Sequence, residues 1–209
     1  MGMQCTHKDV KPVLVIGKCE VWGGRETQVM PRADEFECII SLLGHYKPKA
    51  SKFTISRGSR RVFSQLSAYQ QRRNNVLCVD WPDMQAPLLD RGFWMALAED
   101  LGKITGKAAI YCMGGHGRTG TALCALAQVV QHPPAVESGD IIQWIREVYC
   151  AEAVETASQV EYLRRELKVV TSVKSGGSKG SGWGPSRALT GFYDDPHRFD
   201  EEEEDYRRP

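Results

Sequence analysis

The chain has 209 residues and a mass of 23.4 kDa, which is enough for one ordinary globular domain. Hydrophobic residues make up 42% and charged residues 25%, which excludes a wholly disordered or collagen-like chain. The net charge of +1 argues against a general nucleic-acid binder. No apolar run approaches the ~20 residues of a transmembrane helix, and the polar residues 1–11 predict no secretory signal. Seven widely spaced cysteines, an odd number, then favour a reduced cytoplasmic protein.

Short apolar runs alternate with helical patterns along the first 170 residues. Strands are predicted at 13–17, 36–43, 76–79 and 108–111, and helices at 58–72, 93–104, 119–130, 140–149 and 157–170. Asp140 and Gln143 have the spacing of a capping box. This alternation is typical of an α/β fold with a central, mainly parallel sheet flanked by helices on both faces.

The composition changes near residue 171. Ten of the fifteen residues at 172–186 are Gly or Ser, and six consecutive acidic residues follow at 200–205. Flexible linkers have the first composition, and a block of like charges stays solvated. The sequence therefore predicts a folded domain at 1–170 and a disordered tail at 171–209, which either aids solubility or binds a partner.

One segment, residues 110–120, has an unusual arrangement: an apolar strand ends in Cys112, a glycine-rich turn follows, and Arg118 opens a helix. Glycines let several backbone N–H groups converge on an anion, and the helix adds its positive end. Arginine grips two oxygens of a phosphate, and such a positive site stabilises a thiolate. We therefore predict that Cys112 attacks a bound phosphate and that Thr119 donates a hydrogen bond to the sulfur. The predicted phosphate-binding residues are Met113, Gly114, Gly115, His116, Gly117 and Arg118.

An aspartate that can supply a proton lies upstream of this loop. Asp83 follows the strand at 76–79, so it lies at the same edge of a parallel sheet as Cys112. From there it can protonate the departing oxygen and then accept a proton from the attacking water. Asp80 and Asp90 are the nearby alternatives for this general acid.

The loop and the acid together resemble a known family. Five residues separate Cys112 from Arg118 and Thr119-Gly120 follow, as in the signature loop of the cysteine-dependent protein phosphatases. Trp81-Pro82-Asp83 resembles the mobile acid loop of that family. The resemblance covers about residues 10–170 and identifies them as a phosphatase catalytic domain. It implies a cysteinyl-phosphate intermediate, an aspartate general acid and no metal or cofactor.

Within this superfamily, two details are most similar to the compact dual-specificity phosphatases of the kinase-associated type. They are the pair Gly114-Gly115 in the loop and Pro87 soon after the acid. The leading prediction is therefore a phosphatase acting on phosphotyrosine or phosphoserine/threonine in proteins. Other members of the superfamily attack RNA 5′-triphosphates or phosphoinositides. Eight basic residues at 45–75 leave an RNA 5′ end as an alternative substrate. The absence of lysine from the loop argues against inositol phosphates as substrates.

Further residues gain candidate roles through the same resemblance. Residues 155–159 are similar to the stretch in which classical tyrosine phosphatases orient the hydrolytic water with glutamines, so Glu155 and Gln159 are candidates for water positioning. The first of them is a glutamate here. Tyr111 stands where the family usually has a histidine that tunes the thiolate, and His116 adds a titratable group at the rim of the loop.

Alternatives to this interpretation are also open. A phosphate-binding module with little catalysis is one of them. A second alternative is a zinc site in which Cys112 and His116 are two of the ligands, but the sequence has no second pair of residues at ligand spacing. Rhodaneses, arsenate reductases and low-molecular-weight tyrosine phosphatases also use a cysteine-to-arginine loop, but without the upstream Trp-Pro-Asp. Cys38 or Cys78 is the candidate partner for trapping an oxidised Cys112 as a disulfide.

Overall fold

The computed structural model describes residues 10–43, 54–55, 76–79 and 81–173. Four predicted features lie outside these described residues: the helix at 58–72, the basic residues between 45 and 75, Asp80, and residues 174–209 of the tail. The described residues form an α/β fold in which one sheet is covered by helices.

The sheet contains six strands. They are β1 (Lys11–Ile16), β2 (Cys19–Arg25), β3 (Cys38–Ser41), β4 (Thr54–Ile55), β5 (Val76–Val79) and β6 (Lys107–Cys112). Their order across the sheet is β1-β2-β6-β3-β5-β4. β1 and β2 form an antiparallel hairpin, and every other neighbouring pair is parallel. The predicted mainly parallel sheet is therefore confirmed.

The sequence analysis predicted neither the two-residue β4 nor β2. β2 contains Gly23 and Gly24, and glycine is a poor strand former. Both positions need the missing side chain, because a Cβ on Gly23 would lie 2.6 Å from the Tyr149 ring and one on Gly24 would lie 3.0 Å from Val29. Since successive residues of a strand point to opposite faces, these contacts also show helical segments packed on both faces of the sheet.

Six α-helices and one 3-10 helix lie among the described residues. They are α1 (Glu26–Val29), the 3-10 helix Met30–Glu35, α2 (Arg91–Gly102), α3 (Gly117–Val129), α4 (Pro133–Glu137), α5 (Ile141–Val148) and α6 (Ala157–Leu167). α2, α3, α5 and α6 confirm four of the predicted helices. α3 contacts the other three and is buried over residues 117–127, which makes it the centre of the helical layer. Within the described ranges, none of the helices has the length and apolar character needed to span a bilayer.

Asp140 begins α5 and also holds the end of the described chain. Its Oδ1 accepts a hydrogen bond from the Gln143 N–H at 3.0 Å, which confirms the predicted cap. The Gln143 side chain donates to Glu147 instead of reaching back, so only half of the capping box forms. Asp140 Oδ2 accepts from the N–H and the hydroxyl of Ser172, at 2.8 and 2.9 Å. Contacts to the domain therefore continue beyond residue 170.

Deletion of the tail tests where the fold ends. A chain ending at Val173 is expected to melt like the full chain, because only the predicted disordered residues are lost. A chain ending at Val170 loses the Ser172 bonds to Asp140 and the packing of Val173, about 1–2 kcal/mol. That loss lowers the melting temperature by about 2–8 °C. Equal melting of all three chains, measured by circular dichroism, would contradict the role of residues 171–173.

Candidate active site

Cys112 ends β6, and the turn that follows leads directly into α3. Its side chain is only 3% exposed, and its sulfur accepts a hydrogen bond from the Gly115 N–H at 3.2 Å. The positive end of α3 begins at Gly117, on the same side of the turn. The backbone N–H and the helix terminus both favour negative charge at this place, as in an anion-binding loop.

Gly115 fixes the tightest point of the turn. Its φ is +74°, and a Cβ here would lie 2.9 Å from the carbonyl of Gly24 at the end of β2. Its carbonyl oxygen accepts a hydrogen bond from the buried hydroxyl of Tyr149, which follows α5. Any side chain at position 115 would push the turn away from β2, so the loop needs glycine there.

Arg118 connects the loop to the segment that carries Asp83. Its guanidinium is 6% exposed, donates to the carbonyl oxygen of Trp81 at 3.1 Å, and lies 2.9 Å from Asp83 Oδ1. The structure thus brings the predicted nucleophile, arginine and acid to one edge of the sheet. Asp83 is 72% exposed, so its ion pair with Arg118 contributes little to stability and a bound anion can replace it at small cost.

Trp81 anchors the acid segment. Its fully buried ring packs edge-on against Trp94 of α2, with 6.4 Å between the ring centroids, and its Nε1 donates to the Gln85 carbonyl oxygen at 2.8 Å. Met84 has a φ of +59°, and its N–H donates to Asp83 Oδ1 at 3.1 Å. The segment is thus anchored at Trp81, which keeps the exposed Asp83 carboxylate within reach of Arg118.

Two predicted roles meet a different geometry. The buried hydroxyl of Thr119 donates to the Gly24 carbonyl oxygen at 3.4 Å and not to the Cys112 sulfur. Because α3 packs against β2 here, the strand carbonyl is the acceptor that this hydroxyl reaches. Asp90, an alternative acid, caps α2 by accepting a hydrogen bond from a backbone N–H in its first turn. This capping role accounts for Asp90 and leaves Asp83 as the described acid beside Arg118.

Glu155 lies at the start of α3, and Gln159 lies behind it. Glu155 Oε2 accepts a hydrogen bond from the Gly117 N–H at 2.8 Å. This N–H is one of the groups predicted to bind phosphate. Gln159 is 1% exposed; its Oε1 accepts from the N–H groups of Glu155 and Thr156 at 2.9 and 3.3 Å. Its Nε2 donates to the Gln85 carbonyl oxygen at 3.5 Å. Both side chains therefore connect parts of the site, and their role in positioning water stays a prediction.

The segment after α5 supports the loop from outside, which the sequence did not reveal. His116 Nδ1 lies 3.2 Å from the sulfur of the buried Cys150 and 3.8 Å from Glu152 Oε2. Val154 has a φ of +59°, a rare value for a β-branched residue, and its carbonyl oxygen accepts a hydrogen bond from Arg146 at 3.0 Å. These contacts exist only because α3 and α5 pack together, so no local motif marks them.

Cys38 as a disulfide partner of Cys112 and a zinc site at Cys112 and His116 both gain nothing from the structure, whereas Cys78 as that disulfide partner stays a prediction. Burial raises the pKa of Cys38 to about 12, and Cys38 lies opposite Ala108 on β6. Ala108 is four residues from Cys112, about 13 Å along the strand, which argues against Cys38 as the partner of an oxidised Cys112. Among the described residues, no group of three or more His, Cys, Asp or Glu side chains is arranged to hold a metal ion. A zinc pair of Cys112 and His116 thus finds no further ligands there.

Comparison with known sequences gives short matches. No protein-family model matches the chain. Two uncharacterized proteins of Methanocaldococcus jannaschii are 41% identical over 64 residues and 38% identical over 65 residues. Each match covers 30% of this chain, and only 38% or 36% of the relative. The chain thus spans less than two fifths of the length of these curated relatives.

Comparison with solved structures covers most of the chain. The structure is similar to a crystal structure of Tk-PTP in the active form, with a TM-score of 0.50 and 23% identity over 74% of this chain and 94% of that chain. A glycine-to-alanine mutant form of Tk-PTP gives a TM-score of 0.51 and 22% identity, over 77% and 95%. At this level of identity the likeness concerns the fold alone. The chain therefore has an α/β fold similar to that of a protein tyrosine phosphatase.

Proposed function

We propose that the chain is a cysteine-dependent phosphatase that hydrolyses phosphomonoesters. The observation that carries the proposal is the position of Arg118, whose buried guanidinium joins the loop of Cys112 to Asp83. A nucleophile, a phosphate-binding fork and an acid then act on the same phosphoryl group. The fold shared with Tk-PTP supports the same activity.

In the proposed first step, the Cys112 thiolate attacks phosphorus, the S–P bond forms and the P–O bond to the leaving group breaks. Asp83 gives its proton to the departing oxygen. Arg118 and the loop N–H groups carry the negative charge of the transferred phosphoryl group. In the second step, Asp83 takes a proton from water, the water oxygen attacks phosphorus and the S–P bond breaks. The products are an alcohol or phenol and inorganic phosphate, and the thiolate is restored.

The contact between Asp83 and Arg118 suits this sequence of events. A phosphate that binds the fork of Arg118 takes the place of the Asp83 carboxylate, which lies 2.9 Å from the guanidinium. The displaced carboxyl stays close, because Trp81 anchors its segment. The Asp83 carboxyl therefore remains beside the bound phosphate, close to the oxygen that leaves.

We propose phosphorylated side chains of proteins, by either a tyrosine or a dual-specificity activity, as the substrate class. Met84 and Met113, the neighbours of Asp83 and Cys112 in sequence, are apolar and 56% and 59% exposed. Such side chains suit the ring or methylene groups of a phosphorylated residue better than a second anion. A catalytic thiol also needs a reducing compartment, which fits a cytoplasmic protein.

Hydrolysis of a simple aryl phosphate tests the proposal. We expect the unaltered protein to turn over this substrate without added metal. Asp83→Asn is expected to lower kcat/KM about 10²–10⁴-fold, because an amide cannot protonate the departing oxygen.

Asp90→Asn is the matched control, because Asp90 caps α2 and asparagine caps almost as well. It is expected to leave kcat/KM unchanged. An equally small effect of Asp83→Asn would assign the acid role to another residue. The absence of aryl phosphate hydrolysis in the unaltered protein would overturn the proposed function itself.

A further inference from the structure

Two of the groups proposed to bind phosphate contact carboxylates of the chain itself. Asp83 lies on Arg118, and Glu155 accepts the hydrogen bond of the Gly117 N–H at the start of α3. Proton transfer accounts for the carboxylate of Asp83. It does not account for Glu155, which brings a second negative charge to the anion site at Gly117, the residue before Arg118.

The position of Glu155 is built into the fold. Val154, the residue before it, has a φ of +59°, a strained value for a β-branched residue. Arg146 holds the Val154 carbonyl at 3.0 Å, and Gln159 holds the Glu155 N–H at 2.9 Å. These contacts direct the side chain to Gly117. A glutamine in this place could accept the same hydrogen bond without charge, so the charge is the property that distinguishes Glu155.

We propose that Glu155 is a specificity-determining residue that limits how much negative charge the loop accepts. The inference rests on the proposed phosphatase function and narrows its substrate class to esters in which one phosphoryl group is the only anion near the loop. Coulomb repulsion grows in proportion to the charge of the ligand. At about 6 Å in a water-like dielectric, each unit of ligand charge weakens binding about threefold. A phosphorylated protein side chain is therefore favoured over an RNA 5′-triphosphate.

Direct binding of small anions tests the charge limit without any turnover. The probes are methanesulfonate, sulfate and inorganic pyrophosphate, with about one, two and three negative charges, titrated by calorimetry. Glu155→Gln is expected to tighten their binding by about three-, ten- and thirtyfold, because the repulsion removed scales with the charge of the anion. Glu155→Asp, which keeps the charge but withdraws it from the Gly117 N–H, is expected to give smaller gains in the same order. It also serves as the second variant if Glu155→Gln folds poorly.

Glu152→Gln is the matched control. Glu152 is a glutamate of the same segment, but its carboxylate lies 3.8 Å from His116 Nδ1 and not on a loop N–H. We expect it to raise the three affinities less than Glu155→Gln does, because its exposed charge lies farther from the bound anion and is screened by solvent. Equal gains for all three anions, no gain in Glu155→Gln, or equal effects of the two glutamine variants would overturn the inference.

The phosphatase proposal and the charge limit fail in different ways. If the protein does not hydrolyse aryl phosphate but Glu155→Gln gives graded gains in anion affinity, the phosphatase activity is contradicted and the charge limit is supported. If the protein hydrolyses aryl phosphate but the gains in anion affinity are not graded, the activity is supported and the charge limit is contradicted. Faster hydrolysis of a 5′-triphosphorylated oligoribonucleotide than of a phosphopeptide by the unaltered chain would also overturn the inference.

Discussion

Cys112→Ser is expected to abolish turnover while the protein still binds phosphate esters. A serine hydroxyl does not ionise in this loop at neutral pH, so the nucleophile is lost. The groups that bind phosphate remain, because the Gly115 turn is held by Tyr149 and Arg118 is held by Trp81. The Gly115 N–H that contacts the sulfur at 3.2 Å can donate to a serine oxygen in the same way.

Trapping of the intermediate is the measurement that separates this expectation from a simple loss of folding. The unaltered protein is mixed with a ³²P-labelled phosphoester, quenched in acid and digested, and the label is expected on the peptide of Cys112. Cys112→Ser should carry no label but should still bind the ester. Cys124→Ala, which removes a buried thiol from the middle of α3, should keep the label. Turnover by the unaltered protein without any labelled cysteine would remove the covalent mechanism.

The central part of the site could be predicted because its information is local. An apolar run that ends in Cys112, glycines that free the backbone, and a helix opened by Arg118 lie within one short segment, and the structure has β6, the turn and α3 there. Asp83 is separate in sequence, but the carboxyl ends of parallel strands share an edge, so the fold class alone placed it near Cys112.

The parts that the sequence did not predict depend on tertiary packing. β2 contains Gly23 and Gly24, which weaken a strand pattern and yet are required by Tyr149 and Val29 on either face. The bond from the Gly117 N–H to Glu155 joins residues 38 positions apart, and nothing in either local pattern announces it. In such cases, the neighbours that decide the role of a residue come from other elements.

The acceptor of Thr119 shows the same limit on a smaller scale. The sequence predicted a helix that begins near Thr119, and the structure has this residue in the first turn of α3. The predicted acceptor was the sulfur of Cys112, whereas the packing of α3 on β2 brings the Gly24 carbonyl oxygen to this hydroxyl. Local pattern thus gave the position of this side chain but not its partner.

Arg118→Lys is expected to lower kcat/KM by about 10²–10⁴-fold, with effects on both kcat and KM. The guanidinium uses one nitrogen on the Trp81 carbonyl oxygen and another on Asp83, and a phosphate would take the second contact. A lysine ammonium is a single point charge and cannot contact the Trp81 carbonyl oxygen and two phosphate oxygens at the same time. Binding weakens because the fork is lost, and the chemical step slows because a single ammonium stabilises the charge of the transferred phosphoryl group less well.

Arg164→Lys is the matched control for this substitution. Arg164 likewise makes two contacts, and it donates to the backbone carbonyl oxygens of Thr171 and Val173 at 3.2 and 2.6 Å. It holds the end of the described chain and not the acid segment, so its replacement should lower stability by about 1 kcal/mol and leave kcat/KM unchanged. If Arg118→Lys kept kcat/KM within about tenfold, the planar two-pronged contact would not be needed in the transition state. The single positive charge would then account for what Arg118 does, and the fork between Trp81 and Asp83 would be a structural contact only.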